Sequence, residues 1–280
     1  MIPFEFEYYK PASIQEAVQT FKSLQNQGKT VIYYNGGTEF ITFSRINKMT
    51  AEAVIDLKGI PDCNVIEFQG EELVIGSSLS LNKISETDLY PLLSQTIKRV
   101  ADHTSRNKIT LGGNLNSRLI YRECLLPLLV ADAKIKIAGD EGETTLPLND
   151  IFDKEIKLNP PSQFIVQILI NKTNVNLPFV SLKKTKISKI GYPIVSLAAV
   201  EKDKQILAAL SGVCEFPFRS SEMEAALNDT SLSIDERIDK ALSRLPAQII
   251  EDIQASAAYR QFVLKNTLRE MLDNLEAAKA

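Results

Sequence analysis

Two glycine-rich segments contain the residues of this sequence that are best suited to hold an anion. The first, Tyr34–Glu39, reads Tyr-Asn-Gly-Gly-Thr-Glu, and the second, Thr110–Leu115, reads Thr-Leu-Gly-Gly-Asn-Leu. Adjacent glycines lack side chains and allow positive φ, so several backbone amides can converge on a group such as a pyrophosphate. A tight turn would explain either segment alone. Two of them in the same half of the chain favour one extended ligand with a diphosphate, although the first matches neither GxGxxG nor the P-loop pattern.

The rest of the composition offers few catalytic groups. The chain has 280 residues, a net charge of −3, one histidine (His103) and three widely spaced cysteines (Cys63, Cys124 and Cys214). This set predicts no disulfide framework, no zinc site and no iron–sulfur cluster held by this chain alone. The charge balance gives no basic surface for nucleic acid, and no apolar run reaches the roughly 20 residues of a membrane span. We therefore predict a soluble, cytoplasmic protein without a metal site or a catalytic side chain of its own.

The elements before each glycine-rich segment can be predicted from local patterns. Ser13 and Glu16 form a capping box at the start of an amphipathic helix that ends at Gly28. The β-branched and aromatic run from Thr30 to Tyr34 predicts a strand that leads directly into the first segment. Strands at 53–57 and 72–75 complete a small α/β unit, and a helix near 92–101 precedes the second segment.

The remaining chain alternates between apolar runs and polar turns. The polar residues 171–176 indicate a domain boundary close to Leu177, and the two apolar runs beyond it predict a hairpin. The predicted elements are a helix at 123–131, strands at 133–138 and 164–170, the hairpin of 194–200 and 206–213, and helices at 219–228, 234–244 and 247–275.

The order and the residue pattern of the two glycine-rich segments resemble those of a known protein family. The pair NGGTE and TLGGN, the latter preceded by Ser105-Arg106-Asn107, is similar to the AGGTD and IRN-x-x-TIGGN segments of the flavoprotein subunit of molybdenum hydroxylases. These are enzymes of the xanthine dehydrogenase and carbon monoxide dehydrogenase type. The resemblance continues through Val54–Leu57 and Ile75–Ser77 and ends at Ala258–Arg260. It therefore covers nearly the whole chain.

The resemblance implies a fold, a cofactor and partners. The fold would be α+β: a two-subdomain FAD-binding fold of the PCMH type, followed by a small antiparallel sheet with helices. Residues 1–176 would form the FAD-binding domain, with subdomains at about 1–58 and 59–176, and residues 177–280 the C-terminal flavoprotein domain. The bound FAD would accept electrons from the [2Fe–2S] clusters of a small subunit, which are fed by a molybdopterin large subunit. NAD or another acceptor would then take them.

The same resemblance implies which residues contact the FAD. Glu123 stands where the family usually has an aspartate facing the FAD, Lys183 matches a lysine near the isoalloxazine, and Tyr192 matches an aromatic ring over the flavin. Lys183 also belongs to a basic run that is typical of a solvated face, and Tyr192 beside Pro193 is typical of turn packing. The implied cofactor-binding residues are Ile32, Tyr33, Tyr34, Asn35, Gly36, Gly37, Thr38, Glu39, Thr110, Leu111, Gly112, Gly113, Asn114, Glu123, Ile165, Lys183 and Tyr192.

Two other functions are compatible with parts of the pattern. A self-sufficient FAD-dependent oxidase or reductase of the same fold would need its own substrate cavity or a covalent flavin link through His, Cys or Tyr. A nucleotide-binding regulatory module would show no turnover. Flavin content measured with and without co-expressed partners separates these functions from the electron-transfer subunit.

Overall fold

The computed structural model describes residues 2–158, 162–188 and 190–277. These residues fold into fourteen short strands and eleven α-helices, and the predicted α+β class is confirmed. The strands are β1 (Glu7–Tyr9), β2 (Val31–Tyr34), β3 (Ala53–Asp56), β4 (Ile66–Gln69), β5 (Glu72–Gly76), β6 (Lys134–Gly139), β7 (Gly142–Pro147), β8 (Phe152–Asp153), β9 (Glu155–Ile156), β10 (Phe164–Asn171), β11 (Phe179–Thr185), β12 (Pro193–Lys202), β13 (Gln205–Ser211) and β14 (Phe218–Arg219). The helices are α1 (Ile14–Asn26), α2 (Thr38–Ser44), α3 (Leu81–Thr87), α4 (Pro91–Ile97), α5 (His103–Arg106), α6 (Leu111–Leu115), α7 (Leu125–Val130), α8 (Leu148–Ile151), α9 (Ser221–Leu227), α10 (Ile234–Leu242) and α11 (Ala257–Ala277).

The described residues divide into two compact units that interleave along the chain. Unit 1 takes residues 2–84, 104–117 and the described part of 133–170, and unit 2 takes 85–103, 118–132 and the described part of 171–277. Residues 85–103 and 118–132 thus pack with the C-terminal part of the chain. The predicted division into domains 1–176 and 177–280 stays a prediction.

Unit 1 contains a parallel sheet that positions the first glycine-rich segment. The sheet has the order β1-β3-β2, and β2 pairs with β3 in parallel so that Tyr34 lies opposite Asp56. Side chains on β2 alternate between two small cores: Val31 and Tyr33 pack with the buried face of α1, and Ile32 packs with Phe40 of α2. The carboxyl ends of β2 and β3 therefore meet at one edge, where the glycine-rich segment begins.

A second sheet of unit 1 has the order β4-β5-β10-β6-β7. The pairs β4–β5, β10–β6 and β6–β7 are antiparallel, and β10 carries an irregularity in register between Ile165 and Gln167. The strands β8 and β9 form a separate two-stranded ribbon.

Unit 2 is built on an antiparallel sheet of order β11-β12-β13-β14, which includes the predicted hairpin as β12 and β13. Helices α9, α10 and α11 contribute Met223, Ile238 and Leu268 to its core. The helix predicted for 247–275 begins later than expected, at Ala257. The side chain of Asp252 explains the difference, because its Oδ1 accepts from the amides of Gln254 (2.8 Å) and Ala255 (3.1 Å) and so favours a turn.

No helix of the described residues is long and apolar enough to cross a membrane.

Candidate functional site

The first glycine-rich segment connects β2 to α2 by a sharp turn. Gly37 is the N-cap of α2 and has φ +70°, a left-handed conformation that favours glycine. A Cβ built on Gly37 would lie 2.0 Å from the Tyr34 hydroxyl, so the turn closes directly over the Tyr34 ring. Both observations explain why glycine stands at this position.

The backbone amides at the start of α2 are available to a ligand. Within the part of the chain that the structure describes, no acceptor meets the amides of Gly36, Gly37 and Thr38. The amides of a helix's first turn need partners from outside the helix, and a phosphate oxygen meets this need while it also interacts favourably with the helix dipole. This turn therefore has donors suited to one end of a diphosphate, and the contact itself stays a prediction.

The second glycine-rich segment has a different local structure from the loop that we expected. Thr110 caps the single turn of α6, and its hydroxyl accepts from the Gly113 amide at 3.3 Å. The amides of Leu111 and Gly112 donate to the carbonyls of Leu79 (3.0 Å) and Ser77 (2.8 Å). These amides are thus engaged within unit 1, and Gly112 is needed because a Cβ there would lie 2.8 Å from the Cβ of Ser77. Ligand contacts of Thr110, Leu111, Gly112, Gly113 and Asn114 stay predictions.

The structure nevertheless brings the two segments together. A Cβ on Gly36 would lie 1.9 Å from the carbonyl oxygen of Lys108, two residues before Thr110. Asn82 in turn holds the chain that leads to Thr110, because it accepts from Arg106 Nε (3.0 Å) and donates to Asn107 Oδ1 (2.8 Å). The two segments are therefore neighbours within unit 1, and backbone packing is the cause.

The predicted residues in and just before the first segment differ in what their side chains do. The Tyr33 hydroxyl donates to the carbonyl of Ser162 at 2.9 Å and its ring stacks on Phe21, so this side chain belongs to the core. The carboxylate of Glu39 accepts from the hydroxyl of Ser117. Ser78 donates to Asn35 Oδ1 at 2.5 Å and was not found by sequence reasoning, because no motif connects residues 43 positions apart.

In unit 2, Glu123 and Lys183 form a buried ion pair. Lys183 Nζ lies 2.9 Å from Glu123 Oε2, and the side chains of Lys183 and Glu123 are only 4% and 6% exposed, respectively. The second carboxylate oxygen accepts from Ser196 at 3.1 Å, and Lys183 also donates to the carbonyl of Arg99 at 2.7 Å. Complete burial raises the pKa of Glu123, although Lys183 and Ser196 act to lower it. Lys183 is thus buried, although the basic run in which it stands is typical of a solvated face. The FAD contacts of Glu123 and Lys183 stay predictions.

Tyr192 also belongs to unit 2, where it lies just before β12. Its ring stacks on Tyr121 with a centroid distance of 4.7 Å and an interplanar angle of 16°, and half of the residue is exposed. Ile165, by contrast, is buried on β10 of unit 1 opposite Ile137. The roles of Tyr192 and Ile165 toward a flavin stay predictions.

The cysteines and acidic groups give no sign of further reactive chemistry. All three cysteines are buried and none forms a disulfide, and burial raises the pKa of Cys63 and of Cys214 to about 11. Such thiols stay protonated at neutral pH and are poor nucleophiles. Among the described residues, no group of three or more His, Cys, Asp or Glu side chains is arranged to hold a metal ion.

Comparison with known proteins connects this geometry to a family. Residues 4–172 match the family described as the FAD binding domain in molybdopterin dehydrogenase. The carbon monoxide dehydrogenase medium chain of Hydrogenophaga pseudoflava is 28% identical over 156 residues, which are 54% of this chain and 53% of that protein. The medium chain of the same enzyme from Afipia carboxidovorans is 25% identical over an alignment 298 residues long, which covers 99% of each chain. A solved structure of carbon monoxide dehydrogenase from Hydrogenophaga pseudoflava shares the fold, with a TM-score of 0.88 at 23% identity over 99% of each chain.

Proposed function

Because the chain belongs to the family of FAD-binding domains of molybdopterin dehydrogenases, we propose that it is the electron-transfer subunit of a molybdenum hydroxylase. Membership of the family confirms FAD as the cofactor and the oxidoreductase class. The observation that carries the proposal is that the similarity to a carbon monoxide dehydrogenase medium chain covers 99% of both chains. A name that specifies a medium chain also indicates that the relative works together with other chains.

Bound FAD supplies the redox chemistry, with which this subunit would take electrons from the [2Fe–2S] clusters of a partner and pass them to NAD or another acceptor. The chain's own residues bind and orient the cofactor. The open amides of Gly36, Gly37 and Thr38 would hold the diphosphate. Three cysteines are fewer than the four ligands that a single cluster needs, which supports a separate iron–sulfur subunit and a molybdopterin subunit as partners. The cytoplasmic location stays a prediction.

The first test asks whether substrate oxidation takes place on this chain or on another subunit. We expect the isolated, FAD-loaded chain to show no measurable oxidation of xanthine, an aldehyde or nicotinate, because the proposed function places substrate chemistry on another subunit. The same preparation is expected to transfer electrons from NADH to an artificial dye if NAD is the acceptor. Spectrophotometric assays with and without the co-expressed partner subunits provide the measurement. Robust substrate turnover by the isolated chain would contradict the subunit function and support the self-sufficient oxidase.

A second test addresses the proposed cover of the flavin by Tyr192. Tyr192→Ala is expected to change the rate of dye or NADH turnover by about 3-fold or more, while FAD affinity and stability change little, because half-exposed side chains contribute within about 0.5 kcal/mol. Tyr259→Ala is the matched control, since Tyr259 is also about half exposed in unit 2 and stacks on Phe262. Equal turnover in the two variants would remove Tyr192 from the proposed flavin site.

A further inference from the structure

Lys58 lies beside the first glycine-rich segment although it is 23 residues away from Asn35 in sequence. It belongs to the 3₁₀ turn Leu57–Gly59 that follows β3, and β3 pairs with β2 in parallel. Since the carboxyl ends of parallel neighbours meet at the same edge, the residues after β3 reach the residues after β2. The sheet topology therefore places this lysine at the proposed diphosphate site.

The ammonium group of Lys58 makes three interactions at this edge. Nζ donates to the backbone carbonyl of Asn35 at 2.7 Å and to Asp56 Oδ1 at 2.8 Å. It also lies 4.7 Å from the centroid of the Tyr34 ring, the ring over which Gly37 closes. Lys58 thus contacts Asn35, which precedes Gly36, and the ring of Tyr34, which packs against Gly37.

Asp56 holds the ammonium group in place. Its side chain is 3% exposed, accepts from the Lys58 amide at 3.0 Å and accepts from the Tyr8 hydroxyl through its other oxygen. Burial acts to raise the pKa of Asp56, but the hydrogen bonds from Lys58 and Tyr8 outweigh it and lower the pKa below its ordinary value. The carboxylate is therefore ionised at neutral pH, and it neutralises Lys58 locally.

The hydrogen bond from Lys58 to the Asn35 carbonyl determines the direction in which the Gly36 amide points. In a trans peptide the carbonyl and the following N–H point to opposite sides of the chain. A carbonyl of Asn35 that is bound to Lys58 directs the amide of Gly36 away from Lys58, and among the described residues no acceptor meets that amide. We propose that Lys58 is a positioning residue for FAD, which fixes the Asn35–Gly36 peptide so that the Gly36 amide faces the diphosphate. This inference rests on the proposed binding of the diphosphate by the first segment.

The test compares FAD binding by Lys58→Met, Lys58→Arg and Lys22→Met. Lys58→Met keeps the apolar stem and removes the donor, and its FAD dissociation constant is expected to rise about 10-fold, because a hydrogen bond from a charged group is lost. Lys58→Arg is expected to recover most of the lost FAD affinity, since a guanidinium can donate to both the Asn35 carbonyl and Asp56 Oδ1. Lys22→Met removes the same charge from the exposed face of α1 and is expected to bind FAD as the unaltered protein does.

Flavin fluorescence titration of the apoprotein gives the dissociation constants, and urea unfolding of the same apoproteins provides the second measurement. A positioning role predicts weaker FAD binding by a folded apoprotein whose unfolding midpoint lies only modestly below that of Lys22→Met, because Asp56 keeps the hydrogen bonds from the Tyr8 hydroxyl and the Lys58 amide. FAD affinity in Lys58→Met equal to that in Lys22→Met would overturn the inference, and so would a loss of apoprotein stability that accounts for the weaker binding. Failure of the unaltered protein to bind FAD would instead contradict the proposed function.

Discussion

Replacement of Gly36 by alanine is expected to abolish the retention of FAD during purification. The added Cβ would lie 1.9 Å from the carbonyl oxygen and 3.0 Å from the carbonyl carbon of Lys108, and these are backbone atoms that no rotamer change can move. The two glycine-rich segments must therefore separate, and a displacement of about 1 Å would move the amides of the first segment out of hydrogen-bond distance of a diphosphate. The ratio of flavin to protein absorbance after gel filtration measures the effect.

Two other glycines make this experiment specific. Gly139→Ala is the matched control in unit 1, because the nearest atom to its Cβ is Cγ of the Gln163 side chain at 2.8 Å, which can shift. At Gly113 the nearest atom is Thr110 Oγ1 at 3.0 Å and no backbone atom outside its own helix lies within 4 Å among the described residues, so a loss of FAD in Gly113→Ala would report contact with the ligand itself. A flavin content of Gly36→Ala equal to that of Gly139→Ala would show that the packing of the segments does not determine FAD binding.

The parts of the fold that follow local patterns could be predicted from the sequence. The helix start at Ser13 is observed, with the Ser13 hydroxyl accepting from the Glu16 amide at 3.1 Å, while the Glu16 carboxylate accepts from the Ala12 amide at 2.7 Å. The strand before the first segment is β2, and the hairpin of unit 2 is β12 with β13. Such features depend on residues a few positions apart, whose spacing directly reflects the period of a helix or strand.

The parts of the site that depend on distant pairing could not be predicted. Lys58 reaches the first segment only because β3 lies between β1 and β2, and nothing in the residue spacing states that order. Likewise, the sequence shows the second segment as a flexible glycine pair, whereas the amides of Leu111 and Gly112 are occupied by the carbonyls of Leu79 and Ser77. The expectation that both segments offer free amides was derived from glycine's properties alone, which do not specify the neighbouring chain.

The surroundings of Lys183 illustrate the same limit in unit 2. Lys183 and Lys184 are neighbours in a basic run, and the run alone suggests equal exposure for both. In β11 their side chains point to opposite faces, so Lys183 lies opposite Ser196 of β12 and meets Glu123, while Lys184 pairs with Glu270 near the surface. The register of the sheet decides which lysine is buried.

This difference between neighbouring lysines leads to the second large expected effect. Lys183→Met is expected to lower the free energy of unfolding of unit 2 by about 3–5 kcal/mol, because it leaves the carboxylate of Glu123 buried without its partner. Lys184→Met is the matched control: its ion pair is 38% and 42% exposed, and an exposed pair contributes about 0–1 kcal/mol. Urea unfolding of the apoproteins, followed by far-UV circular dichroism, measures both.

A double variant distinguishes the unpaired charge from a loss of packing. Glu123→Gln combined with Lys183→Met removes both charges and leaves an amide that Ser196 can still contact, so the double variant is expected to be more stable than Lys183→Met alone. Recovery of stability in the double variant would assign the loss to the buried carboxylate, since the methionine is present in both proteins. A double variant that is less stable than Lys183→Met would show instead that the ion pair contributes little and that Lys183 acts through its packing and its hydrogen bond to Arg99.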